Sequence, residues 1–435
     1  MVKNLSNIEK ELMSELAATG NFNSYLTSLG NNTKLSSTTI NGQICDLYNN
    51  PDRTYRNKRY ASVLDDFGAL KALPSSSLEK RWQLKATAEK LLPHERVGHV
   101  CMKWIGHNHR NGEIVKTSSG QHSYRKMKLC GSVWHCPLCS SRISEIRRKE
   151  LSVAIGFSGY KALLATFTLS HHSGDKLEDT LKLIQSAYDL FKSGRWYQSL
   201  TKKYRILGTI KALEVTFGEN GWHPHIHVLF IVENHDIDHK NMRDTMRKRW
   251  LECVEKRGGW CNATNGFTLK NQDTYVQDYV AKFGKMPSKS EWDAVAEITK
   301  AIVKKGKRKG FTPFMLLELA TRGSKVAGEL FQEYARVFKG KIQLRWSNGL
   351  KKLMGIEEIS DLQAAEAADE AGSLEVVATI SPSQWYNIVA TKNRANVLIA
   401  ANELSRQAFL LYLASFEDNY LYRAENNEFR YEQRE

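Results

Sequence analysis

Alternation of apolar and polar residues predicts a β-hairpin in the middle of the chain. Ile206–Phe217 and Trp222–Glu233 each have the composition of a strand, and Gly218-Glu219-Asn220-Gly221 between them is typical of a tight turn. Alternate side chains of a strand point to the same face of the sheet. The second strand therefore places three imidazoles on one face, those of His223, His225 and His227.

The surrounding pattern predicts further strands and several helices. Apolar Ala162–Ser170 is typical of a buried strand, and Gly266–Leu269 and Lys341–Trp346 are further strand candidates. Helical periodicity is found in Leu177–Leu200, His239–Lys256, Asp273–Phe283, two longer segments before Lys341, and Pro382–Phe416. Strands joined by hairpins and by long helical connections predict an α+β protein, an antiparallel sheet flanked by helices.

Charge is distributed unevenly along the 435 residues, whose formal net charge is +16. From Glu357 onwards there are 6 Lys and Arg against 14 Asp and Glu, whereas the preceding 356 residues carry 57 basic and 33 acidic groups. A strongly basic body favours nucleic acid as the partner, because binding releases counterions from the phosphates. No apolar run is long enough to span a membrane and no secretory signal is recognisable, so we expect a cytoplasmic protein.

Three of the seven cysteines cluster in Cys130-x5-Cys136-x2-Cys139, and the Cys-x-x-Cys step is a strong zinc signal. In a cytoplasmic protein such a cluster favours metal binding over disulfides. Cys101 is the first choice for the fourth ligand, with His135 or His99 as alternatives. The basic helix predicted directly after the cluster suits contacts with DNA phosphates, through Arg142, Arg147, Arg148 and Lys149.

The predicted hairpin brings a carboxylate to the histidine face. If residues 219 and 220 form the loop, Glu214 lies opposite His225; if Asn220 and Gly221 form it, Glu214 lies opposite His227. Parity keeps Glu214 on the histidine face in both registers. Two imidazoles and one carboxylate with open coordination positions favour a catalytic divalent ion, and His223 is the weaker member because it lies next to Pro224 and the hairpin end.

About 50 residues later, Tyr275 and Tyr279 are spaced by one helical turn, and Lys282 lies on the same side of the predicted helix. A tyrosine hydroxyl is a poor nucleophile at neutral pH because its pKa is near 10. A metal ion or a cation that offsets the developing charge makes it useful. The alternative is an amphipathic pair of core tyrosines beside a surface lysine.

The order of these motifs resembles the HUH endonuclease superfamily, and more closely the rolling-circle replication initiator (Rep) proteins of bacterial plasmids. The resemblance covers roughly residues 95–355. It is carried by Thr166-Phe167-Thr168-Leu169-Ser170-His171, the His225-Ile226-His227 strand, the Tyr-x-x-x-Tyr-x-x-Lys segment, and a late segment from Phe338 to Leu350.

That resemblance implies an HUH/RRM-like nuclease fold and a concrete activity. Such proteins bind a double-strand origin, expose a single-stranded site and coordinate Mg²⁺ or Mn²⁺ through the two histidines. A tyrosine, here Tyr279, attacks the scissile phosphate and leaves a 5′-phosphotyrosyl link and a 3′-OH primer. A second transesterification later closes the circle.

Two positions depart from the family patterns. Many plasmid initiators carry glutamate where this chain has Tyr275, so the second cleavage uses either water or Tyr275, and we favour Tyr275. Asp278 stands where phage-type initiators carry lysine. Conjugative relaxases are disfavoured because their tyrosine precedes the histidines. A two-tyrosine HUH transposase and a non-enzymatic zinc-dependent DNA-binding regulator are the alternatives.

Four segments follow from these patterns: an N-terminal segment, partly flexible (1–94); a zinc-binding and DNA-contact segment (95–155); the endonuclease domain (156–355); and an acidic helical C-terminal region (356–435), with 364–373 as a linker. The acidic region either contacts a host helicase or limits nonspecific DNA binding. Lys307 and Arg308, in the basic run 304–309, are further phosphate-contact candidates.

Overall fold

The computed structural model describes residues 58–69, 77–116, 120–234, 236–270, 310–368, 375–417, 420–425 and 428–433. Their strands are β1 (Gly112–Lys116), β2 (His122–Arg125), β3 (Tyr160–Phe167), β4 (Ile206–Gly218), β5 (Gly221–Glu233), β6 (Phe267–Lys270), β7 (Leu344–Trp346), β8 (Glu375–Ile380), β9 (Tyr420–Glu425) and β10 (Glu428–Gln433).

Helices flank these strands and account for most of the remaining described residues. They are Lys58–Ala69, Ser77–Leu91, Arg96–His99, Pro137–Ile155, Leu177–Phe191, Gly194–Lys203, His239–Lys256, Pro313–Thr321, Lys325–Phe338, Leu350–Leu353, Asp361–Ala367, Pro382–Ala390, Arg394–Glu403 and Arg406–Ala414. The predicted α+β class with antiparallel sheets flanked by helices is confirmed.

The central sheet has five strands in the order β6-β3-β5-β4-β7, and every neighbouring pair is antiparallel. The predicted hairpin forms its longest pair, β4 with β5. β3 lies beside β5 and is apolar on both faces, which explains its nearly continuous apolar sequence.

The two faces of this sheet are covered differently. One face carries Leu213, Val215, Ile226, Val228 and other residues of the main core, against the helices Leu177–Phe191 and His239–Lys256. The opposite face has a smaller core at one end, where Ile210, Ala212, Leu229 and Ile231 meet the helix Pro137–Ile155 and Leu350. By strand parity, Glu214, His225 and His227 continue that second face beyond the smaller core.

A second sheet of three strands, β2-β1-β8, joins the cysteine-rich segment to the C-terminal region. β8 pairs with β1 antiparallel, from Gly112 opposite Ile380 to Lys116 opposite Glu375. The C-terminal region is therefore not purely helical as predicted: three helices within Pro382–Ala414 are preceded by β8 and followed by the β9–β10 hairpin.

Other differences have local causes. The single helix predicted over Leu177–Leu200 is divided in two: the first helix ends at Phe191, and the second begins at Gly194, whose positive φ of 76° changes the chain direction between them. The predicted linker 364–373 begins inside the helix Asp361–Ala367, where Ala364 and Ala365 are fully buried. The predicted helix Asp273–Phe283 lies outside the described residues. No helix in the described ranges is both long and apolar enough to cross a membrane.

Candidate metal centres and active site

The β4–β5 register decides how the histidine face is built. Gly218 pairs with Gly221, so residues 219 and 220 form the loop and Glu214 lies opposite His225. This is the first of the two registers predicted from the sequence. The neighbouring strand β3 places Thr166 opposite His227 on the other side of β5.

Three side chains converge on this face. The Nε2 atoms of His225 and His227 each lie 3.5 Å from Oε2 of Glu214. One potential ligand atom from each residue falls within 4.8 Å of the others. All three side chains are half-buried, and Glu214 is the most exposed at 34%. The arrangement offers two nitrogens and one oxygen to a single ion and leaves coordination positions open towards solvent.

Hydrogen bonds at the other ring nitrogens orient both imidazoles. His225 Nδ1 lies 3.1 Å from the carbonyl oxygen of His223, so Nδ1 must donate and Nε2 carries the lone pair in the neutral ring. His227 Nδ1 lies 3.0 Å from Oγ1 of Thr166. Such partners fix the ring orientation at metal sites, and here they aim both Nε2 atoms at Glu214. Sequence reasoning did not assign Thr166 a role, because the β3–β5 register was not known.

The environment shifts the pKa values of His225 and His227 in opposite directions. Burial lowers the pKa of His227 to about 4, despite the nearby charge of Glu214. Burial also acts on His225, but the hydrogen bond and charge of Glu214 outweigh it and raise the pKa of His225 above its ordinary value. His227 is therefore neutral and ready to bind metal, whereas a proton competes for His225.

His223 belongs to a different set of contacts. Its Nδ1 lies 2.8 Å from Nε2 of His171, and Nδ1 of His171 lies 2.8 Å from the carbonyl oxygen of Asn220. Burial lowers the pKa of His223 to about 3. The His171–His223 pair borders a cavity of about 560 Å³ at the hairpin end, which Trp260, Asn262 and Asn265 also line. His223 is thus a neighbour of the Glu-His-His cluster, and its hydrogen-bond partner is His171.

Four cysteines form the second cluster, Cys101, Cys130, Cys136 and Cys139, all of them buried. The sulfur of Cys101 lies 3.6 Å from those of Cys136 and Cys139, and the sulfurs of Cys130 and Cys139 are 3.5 Å apart. Four thiolates around one zinc ion at about 2.3 Å would lie just under about 4 Å apart. The cluster could therefore hold a metal such as zinc, with Cys101 as the fourth member.

His135, one of the alternatives for that fourth position, is engaged elsewhere. Its Nε2 donates to the carbonyl oxygen of Ala335 over 2.8 Å. The backbone explains the position of two of the cysteines: Cys136 caps the helix Pro137–Ile155, and its sulfur accepts from the backbone N–H of Cys139. The Cys-Pro-x-Cys sequence thus starts a helix and orients two thiols at once.

A buried cation lies beside the cysteines. Lys85 is completely buried, and its ammonium group donates to Glu89 and to the carbonyl oxygen of Val97. Hydrogen bonds with the three neighbouring thiols lower the pKa of Cys101 well below its ordinary value, and the charge of Lys85 adds to this. Four thiolates on a divalent ion carry a net charge of −2, which a buried ammonium group offsets in part. Nothing in the local sequence around Lys85 signalled this role.

The basic helix after the cysteines is used largely for internal contacts. Arg142 donates to the carbonyl oxygen of Tyr124. Arg147 is buried and pairs with Glu150 and Asp361, so the expectation that it contacts DNA phosphate does not fit its surroundings. Arg148 pairs with Glu145, and Lys149 is exposed. The predicted site residues Tyr275, Tyr279, Lys282, Lys307 and Arg308 lie outside the described residues.

Fold and site together define an α+β protein with an open Glu-His-His cluster on an antiparallel sheet and a closed four-cysteine cluster before it. A family model described as "Replication protein" matches residues 122–393, more than half of the chain. The chain belongs to this replication protein family.

Two curated relatives are similar to parts of the chain. "Protein rep" of Streptomyces lividans is 23% identical over 350 residues, which cover 63% of this chain and 75% of that protein. "Neomycin resistance protein" of Streptomyces cyanogenus is 29% identical over 147 residues, 27% of this chain and 34% of that protein. No solved structure matches the chain.

Proposed function

We propose that the protein is a plasmid rolling-circle replication initiator that nicks a double-strand origin by tyrosine transesterification. The observation that carries the proposal is the convergence of Glu214, His225 and His227 on one open sheet face in a chain of the replication protein family. Replication proteins act on DNA, and the basic body of the chain suits that partner.

The donor set fits a catalytic Mg²⁺ or Mn²⁺. Glu214 supplies oxygen, the two histidines supply nitrogen, and the site is open on one side. A divalent ion bound there would withdraw charge from a phosphate oxygen of the scissile group. The protein's own contribution is orientation, because Thr166 and the carbonyl of His223 hold the two rings.

Tyr279 is our candidate for the nucleophile. Its hydroxyl oxygen would attack the phosphorus, the bond from phosphorus to the 3′-oxygen would break, and that oxygen would take up a proton while the phenol loses one. The products are a 5′-phosphotyrosyl link and a free 3′-OH primer. Lys282 would contact a phosphate oxygen, and Tyr275 would carry the second transesterification that rejoins the strand.

Chain connectivity supports the choice of nucleophile from the segment that contains Tyr275 and Tyr279. β6 ends at Lys270 beside β3, and the charge of Lys270 acts on His227. Tyr275 follows Lys270 by five residues, a span of at most about 18 Å. After the tyrosines the chain returns at Phe311, which pairs with Phe217 near the hairpin end. Both described flanks of the tyrosine segment are therefore attached to the sheet that carries the histidines.

The four-cysteine cluster would hold zinc in a structural role. All four thiols are buried and the set leaves no open position, which is the character of a structural site. Lys149 is an exposed basic residue of the adjacent helix and a candidate phosphate contact, together with Lys307 and Arg308. A host helicase is a further candidate partner, for the acidic C-terminal region.

Incubation of the protein with an end-labelled single-stranded origin oligonucleotide and Mg²⁺ or Mn²⁺ tests the proposal. We expect a metal-dependent covalent adduct, with the modified peptide containing Tyr279. Tyr279→Phe should abolish the adduct; an adduct that persists on Tyr275 would move the nucleophile there. Metal-dependent binding without any cleavage would favour a non-enzymatic regulator instead.

A further inference from the structure

A basic surface lies on the cysteine-rich segment, outside the five-stranded sheet that carries the Glu-His-His cluster. Residues 96–128 contain seven Lys and Arg and a single acidic residue, Glu113. Residues of the loop 103–111 line two grooves of this surface, of about 570 Å³ and about 690 Å³. We call the smaller one the loop groove; its walls include Lys103, Trp104, His107, His109, Arg110 and Tyr386.

The basic side chains of this surface differ in how they are engaged. Lys103 pairs with Glu89 over 2.7 Å, and Arg125 and Lys126 both pair with Glu113. Arg110 is exposed and has no hydrogen bond or ion pair with the described part of the chain. Its charge is available to a ligand, in contrast to the arginines of the helix Pro137–Ile155, which are tied to protein groups.

Aromatic side chains stand next to that free charge. Trp104 keeps 39% of its surface exposed while its Nε1 donates to the carbonyl oxygen of His99. Tyr386 lines the same groove from the helix Pro382–Ala390 and is half-buried. Aromatic rings that take the faces of unpaired bases, beside cations that follow the backbone, are how proteins hold single strands.

We propose that the loop groove binds single-stranded DNA, as a second contact with the strand handled at the Glu-His-His cluster. Duplex DNA keeps its base faces stacked and would leave Trp104 and Tyr386 without a role. The volume of the groove, about 570 Å³, is within the range of sites for a small molecule or a nucleotide unit. The inference rests on the proposed function, because a nicking enzyme must hold unpaired DNA.

Fluorescence anisotropy with a labelled oligo(dT) of about 16 nucleotides, without added divalent metal, tests the groove. Trp104→Ala should weaken binding by about 5-fold to about 100-fold, and Trp104→Phe should restore most of it, since base stacking needs a ring. Arg110→Gln should lower the slope of log affinity against log salt by about 0.7, the amount expected for one phosphate contact of a single strand.

Arg406→Gln is the matched control, because it removes the same charge from an exposed arginine of the helix Arg406–Ala414. It should leave the salt slope unchanged. Thermal melting of each variant separates lost binding from lost folding, and exposed Arg110 keeps the test informative if Trp104→Ala fails to fold. A photo-crosslink from 5-iodouracil in the oligonucleotide should map to Trp104 or Tyr386.

The outcomes distinguish this inference from the proposed function. If Trp104→Ala and Arg110→Gln both leave the single-strand affinity and the salt slope unchanged, the groove is not a DNA-binding site, whether or not the protein nicks DNA. Weakened binding of duplex DNA alone would overturn its assignment to single strands. If the wild-type protein never cleaves DNA but both variants lose single-strand affinity, the proposed function fails and the groove stands.

Discussion

The two clusters of this protein that could hold a metal ion differ in almost every physical respect. The four cysteines are buried, they form a closed set, and a buried lysine lies beside them. The Glu-His-His cluster is half-buried, mixes oxygen with nitrogen and is open on one side. A closed soft-ligand site adds free energy to folding, whereas an open site of harder ligands has positions left for a substrate. We therefore expect damage to the first cluster to affect stability and damage to the second to affect chemistry.

The largest effect should follow Cys136→Ser. Loss of one thiolate from a structural site removes metal-binding free energy from folding, and Cys136 also caps the helix Pro137–Ile155. With zinc at this cluster, as we propose, the variant should lose the metal and at least about 3 kcal/mol of stability, measured by metal analysis and thermal melting. Cys261→Ser, at a half-buried thiol outside the cluster, is the control. Equal zinc content and melting temperature in both variants would show that the cysteines are not a structural site.

His227→Ala should act in the opposite way, on activity and little on folding. The variant removes one ligand nitrogen from an open site, and we expect DNA cleavage to fall by at least about 10³-fold. His223→Asn is a close comparison, because His223 lies on the same face of β5 but hydrogen-bonds to His171. Its loss of activity should be smaller. Comparable losses in the two variants, assayed on a labelled oligonucleotide, would contradict the assignment of His227 as a ligand.

Thr166→Val should have an intermediate effect. The substitution keeps the shape of the side chain but removes the hydroxyl that lies 3.0 Å from Nδ1 of His227. Loss of such an orienting partner typically lowers metal affinity by about 10-fold to about 100-fold. Activity at saturating Mn²⁺ should recover, because the ligands themselves remain. A variant whose activity is not rescued by excess metal would give Thr166 a different role.

The sequence predicted those parts of the fold and the sites that depend on residues close together along the chain. Strand alternation and turn composition were enough to place Glu214, His225 and His227 on one face, because both follow from local backbone geometry. Spacing likewise identified Cys130, Cys136 and Cys139, whereas Cys101 was the first choice among three candidates for the fourth position. Lys85, Thr166 and the pairing of β8 with β1 were not predicted, because each depends on which distant segments pack together.

The arginines of the helix Pro137–Ile155 also show that distant contacts limit what the sequence predicts. Local sequence correctly predicted a helix after the cysteines, and its basic residues suggested a DNA-binding surface. Arg147 instead pairs with Asp361, more than 200 residues away, which no local pattern records. A basic residue that is both buried and paired with a carboxylate, as Arg147 is, is not available to DNA, and sequence alone shows neither its burial nor its partner.

Acidification should have the smallest effect, a gradual loss of metal affinity at the Glu-His-His cluster. A divalent ion needs the neutral form of each ring, and Glu214 raises the pKa of His225. Below that raised pKa, apparent Mn²⁺ affinity should fall by about tenfold per pH unit, measured by calorimetric titration from pH 8 to pH 6. Glu214→Gln should weaken binding at pH 8 but move the pH dependence to lower pH, because the carboxylate no longer favours the proton.

The folding stability of the metal-free protein should change much less than its Mn²⁺ affinity between pH 8 and pH 6. Protonated His225 stabilises the fold at low pH, and that contribution is lost as pH rises through its raised pKa. His227 acts in the opposite direction: its pKa of about 4 lies below the ordinary value, so its contribution is lost as pH falls from about 6.5 towards 4. The two contributions oppose each other. A melting temperature that falls in step with Mn²⁺ affinity would mean that the open cluster also supports the fold, the role we propose for the cysteines.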